Sequence, residues 1–424
     1  MSTPPKLSQL AETLIGSEIV KLGADIKERI RQGARVYNFT VGDFDPSIFP
    51  IPTELQQRIE KAYQEKHTNY PMAEGNLDLR QALQSFIKQY QGLEYDTAEI
   101  LVASGGRPLI YTIFRTICDA GDKVVYAVPS WNNNHYTHFV DAAHVVLEAK
   151  AENNFMPTAA ELKPHLAGAT LLALCSPQNP TGTTFQKEEL EAICDAVLEE
   201  NAKRGNKEKK LYVMFDQMYW HLTYGTIKHH DPVSLRPAMK EFTLFVDAIS
   251  KVFSSTGLRV GWGMGPAPVI AKMKSILTHM GAWAPMAEQK GLAEYLTDFP
   301  SIDRYLATFK SEIHHRLTRI HEGLLQLKKD GFPIDAITPE AAIYLTVKVD
   351  AAGWKNSNGE VLADQAAVTQ FLLNEASLAV VPFFAFGSEK ENPWYRLSVG
   401  TCKKEEIDEM LGKLRRALSG LKKS

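Results

Sequence analysis

The sequence predicts an α/β protein: a large domain with a mostly parallel sheet covered by helices on both faces, accompanied by a smaller α+β domain. Three observations predict it. Between about residues 52 and 300, short strand-like runs alternate with helical periodicity, the pattern left by strands linked through crossover helices. Those runs, "KVVYAV", "TLLALC" and "FTLFVDAIS" among them, are continuously apolar rather than alternating, as strands covered on both faces should be. After about Pro300 the texture changes to a long charged helical pattern and then to strands mixed with helices. The 424 residues are too many for one small core and suit two domains.

The elements follow in order. An amphipathic stretch at 7–30 precedes an extended arm, "VYNFTVGDFDPSIFPIP", whose prolines exclude regular helix. Helical periodicity covers 54–66 and 77–90. "EILVAS" reads as a buried strand, and "PLIYTIFRTICDAG" as a helix that opens at Pro108 and stops at Gly121. "KVVYAV", "HVVLEA", "TLLALC", "LYVMFD", "FTLFVDAIS" and "LRVGWGM" are further strands, with a helix at 187–202. Beyond Pro300 come a helix at 302–327, the strand "AAIYLTVKV", a helix at 363–375, "SLAVVP", "WYRLSVG" and a last helix at 404–421.

Composition narrows the function. The net charge of −3 implies neither nucleic acid nor an anionic membrane as partner. No apolar run reaches the length of a membrane span, and the opening "MSTPPKLSQLAET" lacks an apolar leader, so a cytoplasmic protein is expected. The four cysteines have no metal-ligand spacing and read as reduced thiols; no metal is expected.

Five groups could carry chemistry. In "VASGGRPLI" two glycines join a strand to a helix whose free amides could bind an anion, though taken alone such a pair is more often a plain turn. "CSPQNPTGTTF" is a strand-to-helix loop in which Asn179 could donate to a ligand at the sheet's carboxyl edge. In "LYVMFDQMYW" a strand ends on Asp216, a helix cap or a carboxylate that needs a cation, with Tyr219 three residues on. In "FVDAISKVFSSTGLRVGWGMG" Lys251 either snorkels to solvent or is the desolvated amine a Schiff base requires; Arg259 is a surface ion-pair residue or a phosphate ligand. Arg396, inside the strand-like "YRLSVG", needs a carboxylate from a ligand or a fixed acidic neighbour. Together these are the parts of a pyridoxal phosphate site.

"SPQNPTG", "FDQMY", "ISKVFSSTGLRVGW" and "YRLSVG", in this order, resemble the signatures of the class I/II aminotransferases, the fold-type I pyridoxal phosphate enzymes, and the chain is aspartate aminotransferase-like. The resemblance runs from about Gly42 to Gly400. It implies pyridoxal 5'-phosphate as cofactor and Lys251 as the aldimine lysine and proton shuttle. It implies Asp216 at the pyridine nitrogen, Asn179 and Tyr219 at the phenolic oxygen, and Trp131, in "VPSWNNN", stacked on the ring. Gly106, Arg107 and Arg259 would hold the phosphate, with Tyr70 reaching the phosphate of a neighbouring subunit in a homodimer with shared active sites. Arg396, with Asn179 and the backbone of Gly42, would grip the substrate α-carboxylate. The same resemblance divides the chain into an arm and part of the small domain at 1–50, the large cofactor-binding domain at 51–300, and the rest of the small domain at 301–424.

Two positions depart from the family pattern. Ala248 stands three residues before the lysine, where many members have a phosphate-binding serine; Ser254 or Ser255 could supply the hydroxyl. Arg107 stands where the residue is usually small or polar; it could bind the distal carboxylate of a dicarboxylic substrate or one more phosphate oxygen. The expected activity is ping-pong exchange of an amino group between an L-amino acid, with aspartate or glutamate favoured, and a 2-oxo acid. A β-eliminating lyase would use the same lysine. A non-catalytic amino-acid sensor fits less well, because fewer than about 50 residues precede the arm, too few for a DNA-binding domain.

Overall fold

The computed structural model describes residues 6–14, 16 and 18–423. Residues 1–5, part of the opening read as lacking an apolar leader, lie outside the described residues. The arm supplies a short strand β1 (Tyr37–Asn38). Seven strands then form one sheet: β2 (Ile100–Ala103), β3 (Lys123–Val128), β4 (Ala143–Glu148), β5 (Ala169–Cys175), β6 (Tyr212–Asp216), β7 (Thr243–Ala248) and β8 (Gly261–Met264). Their order is β2-β8-β7-β6-β5-β3-β4. Pairing is parallel from β7 across to β4, and only β8, wedged between β2 and β7, runs against its neighbours. The link of residues 249–260 holds two short turns and no crossover helix, so the chain returns antiparallel.

β2, β7 and β8 are buried throughout and β5 is buried but for its last residue, as continuous apolar runs require. "HVVLEA" departs from that expectation. β4 is the sheet's edge strand and is largely open, with Val146 47% exposed. A run of apolar residues does not reveal that a strand lacks a neighbour on one side. The "PLIYTIFRTICDAG" helix also differs at both ends. It spans Gly106–Ile117 behind the cap residue Gly105, so Pro108 is its third residue, and Gly121 turns the loop beyond it. Proline is still tolerated there, because amides of the first turn have no intrahelical partner.

Five further strands follow: β9 (Ile334–Ala336), β10 (Tyr344–Val349), β11 (Leu378–Ala379), β12 (Val381–Pro382) and β13 (Trp394–Ser398). β12-β13-β10-β9 pair antiparallel, backed by the long helix Phe299–Lys329 and by Gln365–Glu375 and Ile407–Ser419. "SLAVVP" is therefore two strands: β12 joins this sheet, and β11 pairs in parallel with β1 in a sheet of two. The arm is laced to the C-terminal part by backbone bonds from Ser398 N–H to Phe39 and from Asp45 N–H to Gly400. The stretch at 7–30 forms two helices, Gln9–Thr13 and Glu18–Arg31. Among the described residues no helix is long and apolar enough to cross a membrane.

Candidate active site

The ends of β5, β6 and β7 and the turn after β2 open on one cleft of about 630 Å³, closed from the other side by the arm, β10 and β13. Open α/β sheets bind ligands at this carboxyl edge. Asp216, the last residue of β6, sits in register with Cys175 at the end of β5. Burial pushes its carboxyl up to about 6, against the pull of the Met218 N–H at 3.1 Å. No cation lies within ion-pair distance of it among the described residues.

Lys251 is not on the strand itself. It lies on a one-turn helix, Ile249–Val252, directly after β7. Its Nζ donates to the carbonyl of Gly42 at 2.5 Å. Burial brings the amine down to about 8; the Asp43 carboxylate opposes this, and the positive charges of Arg396, Arg107 and Arg259 assist it.

The turn after β2 is built for close approach. Gly105 has φ +89°, and a Cβ there would overlap the Arg259 guanidinium. A Cβ on Gly106 would stand 2.7 Å from the Met218 Cε. Arg259 donates to the carbonyls of Ser104 at 3.0 Å and Thr256 at 2.7 Å, which holds its guanidinium beside the first turn of the helix Gly106–Ile117. Arg107 is exposed at the cleft, with its guanidinium 5.4 Å from the centre of the Trp131 ring and no acidic partner among the described residues.

Arg396, in the middle of β13, is only 1% exposed. It donates to Asn179 Oδ1 at 3.0 Å and to the Thr40 carbonyl at 2.6 Å, while its Nε has no partner. Its guanidinium lies between the rings of Tyr344 and Phe386, 4.7 and 4.9 Å from their centres, and no carboxylate faces it among the described residues. A buried cation without an acid is costly unless a ligand brings the charge. Tyr219 is buried, with its hydroxyl 2.5 Å from that of Tyr344.

Gly42, Gly106, Arg107, Trp131, Asn179, Asp216, Tyr219, Lys251, Arg259 and Arg396 thus share one cleft. Tyr70 does not join them. It is 83% exposed and stands edge-on to Trp283, outside this chain's cleft. Neither hydroxyl offered in place of the one missing at Ala248 reaches the cleft: Ser254 donates to the Phe49 carbonyl and Ser255 to that of Ile249. Ser250 and Thr256 line it instead. The sequence reading also missed Tyr344, Cys175 and Asp43, the last accepting from the Thr256 hydroxyl at 2.7 Å. Asp43 had a signal, an acid beside Gly42 in the arm; Tyr344 had only its place in an apolar strand.

The donor set fits pyridoxal phosphate. A depressed lysine amine, a half-buried carboxylate with no protein cation, and free amides beside an arginine match an aldehyde, a ring nitrogen and a phosphate. Fold and cleft together define a fold-type I pyridoxal phosphate enzyme. Residues 34–414 match the family model described as aminotransferase class I and II, and the chain belongs to that family. A Rickettsia felis protein named "Probable aspartate/prephenate aminotransferase" is 30% identical over 98% of this chain and 94% of its own length. The aspartate aminotransferase of Bacillus sp. (strain YM-2) is 29% identical over 90% and 92%. The solved Thermus thermophilus aspartate aminotransferase with maleate is 27% identical and covers 98% of this chain and all of its own, with a TM-score of 0.85. The protein is a pyridoxal phosphate-dependent aminotransferase.

Proposed function

We propose that this cleft exchanges amino groups between an acidic L-amino acid, aspartate or glutamate, and a 2-oxo acid. The observation that carries the reading is Arg396, a buried guanidinium with no acidic partner, opening on the same cleft as a lysine amine near 8. An α-carboxylate bound there as a fork gives Arg396 its counter-ion and brings the α-carbon to Lys251. Bound pyridoxal phosphate supplies an aldehyde and an electron-withdrawing ring. Asp216 would hold the ring nitrogen's proton, Asn179 and Tyr219 the phenolic oxygen, Trp131 the ring face, and Gly106 with Arg259 the phosphate. Lys251, partly neutral near pH 7, would remove and return the proton at the substrate α-carbon. The carbonyl of Gly42 would orient that amine.

Arg107 is assigned to the distal carboxylate. It is an exposed cation of the cleft, as Lys27 is, but it follows the glycine turn directly; it has no acidic partner among the described residues and stands over Trp131. The Thermus relative's dicarboxylate, maleate, supports this assignment. The test is a panel of amino acids with 2-oxoglutarate, wild type against Arg107→Ala. We expect kcat/KM for aspartate to fall by about two orders of magnitude, as for a lost charge-assisted fork, with neutral amino acids little changed. An equal loss for all substrates, together with weaker cofactor binding, would move Arg107 to the phosphate. We also propose a homodimer in which Tyr70 reaches the partner's phosphate, and a division of the chain at about residues 50 and 300. The exposed Tyr70 ring and the arm laced to β11 and β13 support these readings.

A further inference from the structure

We propose that Tyr344 is a positioning residue for the reaction: its hydroxyl holds and polarises the hydroxyl of Tyr219, while its ring backs the guanidinium of Arg396. One side chain thereby ties the carboxylate anchor to the phenol that faces the cofactor. The inference rests on the role given to Tyr219 above.

Tyr344 opens β10 and is 1% exposed. Its hydroxyl is 2.5 Å from that of Tyr219, and the two rings meet edge-on, with centres 5.4 Å apart. Its ring centre lies 4.7 Å from the Arg396 guanidinium carbon. The space around the hydroxyl is closed: a Cβ on Gly42 would stand 2.9 Å from it. Each hydroxyl has the other as its only hydrogen-bond partner among the described residues. A role in filling space alone would not require a phenol so placed.

Hydrogen-bond valence sets the direction. Each phenol carries one proton and can also accept. Only one proton fits the gap between them. When Tyr219 aims its proton into the cleft, the proton in the gap must come from Tyr344. A phenol that accepts a bond becomes a stronger donor, so Tyr344 strengthens the bond Tyr219 makes to the cofactor's phenolic oxygen. The positive charge of Arg396 beside Tyr344 works in the same sense, because it favours release of the Tyr344 proton.

The test replaces Tyr344 with phenylalanine, which keeps the ring and removes the hydroxyl. The readout is the pH midpoint of the holoenzyme's cofactor absorbance band, which rises when the bond donated by Tyr219 to the phenolic oxygen weakens. For Tyr344→Phe we expect a rise of about 0.5–1 unit, roughly a three- to tenfold change in the proton equilibrium, with the Kd for succinate within about twofold. In a Tyr219→Phe background, adding Tyr344→Phe should move the midpoint no further, since the effect passes through Tyr219. If Tyr219→Phe shifts the midpoint and Tyr344→Phe does not, or if the two shifts add in full, the proposal is overturned while the role of Tyr219 stands. If Tyr219→Phe leaves the midpoint unmoved, the role of Tyr219 fails and this proposal with it.

Discussion

The Nζ of Lys251 donates to the carbonyl of Gly42 at 2.5 Å across 209 residues of sequence. The lysine belongs to the turn after β7, the carbonyl to the arm. Gly42 is also hemmed in, because a Cβ there would press on the Tyr344 hydroxyl at 2.9 Å and on the Arg396 guanidinium at 3.5 Å. Gly42→Ala should therefore displace the carboxylate anchor more than the amine. We expect steady-state kinetics to show KM for both amino and oxo acid raised about tenfold, with kcat changed less. An unchanged KM would mean that the arm yields freely.

The amine of Lys251 reacts only when neutral, and burial has brought it to about 8. Uptake of the cofactor by the cofactor-free enzyme should accelerate about tenfold per pH unit below that value and level off above it. Stopped-flow absorbance measures this rate. A rate that keeps climbing to pH 10 would describe an ordinary solvated lysine. Lys251→Ala should take up cofactor without forming a borohydride-fixable bond, and should lose transamination.

Asp216 gives a stability signature of opposite sense to a salt-bridged acid. Its folded value, about 6, lies above the ordinary 3.8. Between those values the folded chain holds more protons than the unfolded one, so stability falls as pH rises through that window, and the cost persists above it. Asp216→Asn should then stabilise the cofactor-free protein at pH 7–8 by about 1–3 kcal/mol while crippling catalysis. Thermal melts of both proteins at pH 4 and pH 7.5 check this; the gap should be small at pH 4 and larger at pH 7.5.

Gly105→Ala combines a left-handed backbone, φ +89°, with an overlap against Arg259. The strain can be relieved only by moving the guanidinium or the helix start. Equilibrium dialysis should show at least a tenfold loss of cofactor affinity, with a melting point lower by a few degrees.

Subunit sharing can be read from hybrids. If Tyr70 serves the partner's site, Lys251→Ala and a disabling Tyr70 variant should complement when mixed and reassembled. Half the dimers are then hybrids with one intact site each, so about a quarter of wild-type activity returns. No recovery would confine each site to one chain.

The legible parts of this molecule were those where chemistry meets a strand end. "LYVMFD" ends on a carboxylate and "FTLFVDAIS" is followed at once by Lys251, so the apolar run itself pointed to the residue that leaves it. The edge position of β4 was not legible, because a missing neighbour writes nothing into "HVVLEA". The reversal of β8 was implicit in the short link after β7, though "LRVGWGM" looks like any parallel strand. Tyr344 was hidden for another reason. On a strand of the second sheet its hydroxyl meets Tyr219 only through tertiary placement, 125 residues away.

The strip of arm from Thr40 to Gly42 holds two cations, Arg396 through the Thr40 carbonyl and Lys251 through that of Gly42. The arm is made before both cations, and Arg396 comes 145 residues after Lys251. A nascent chain has no complete cleft until β13 has left the ribosome. Chains that stop before β13 would carry the lysine, the acid and the phosphate turn but no carboxylate anchor, and would be unable to grip an amino acid.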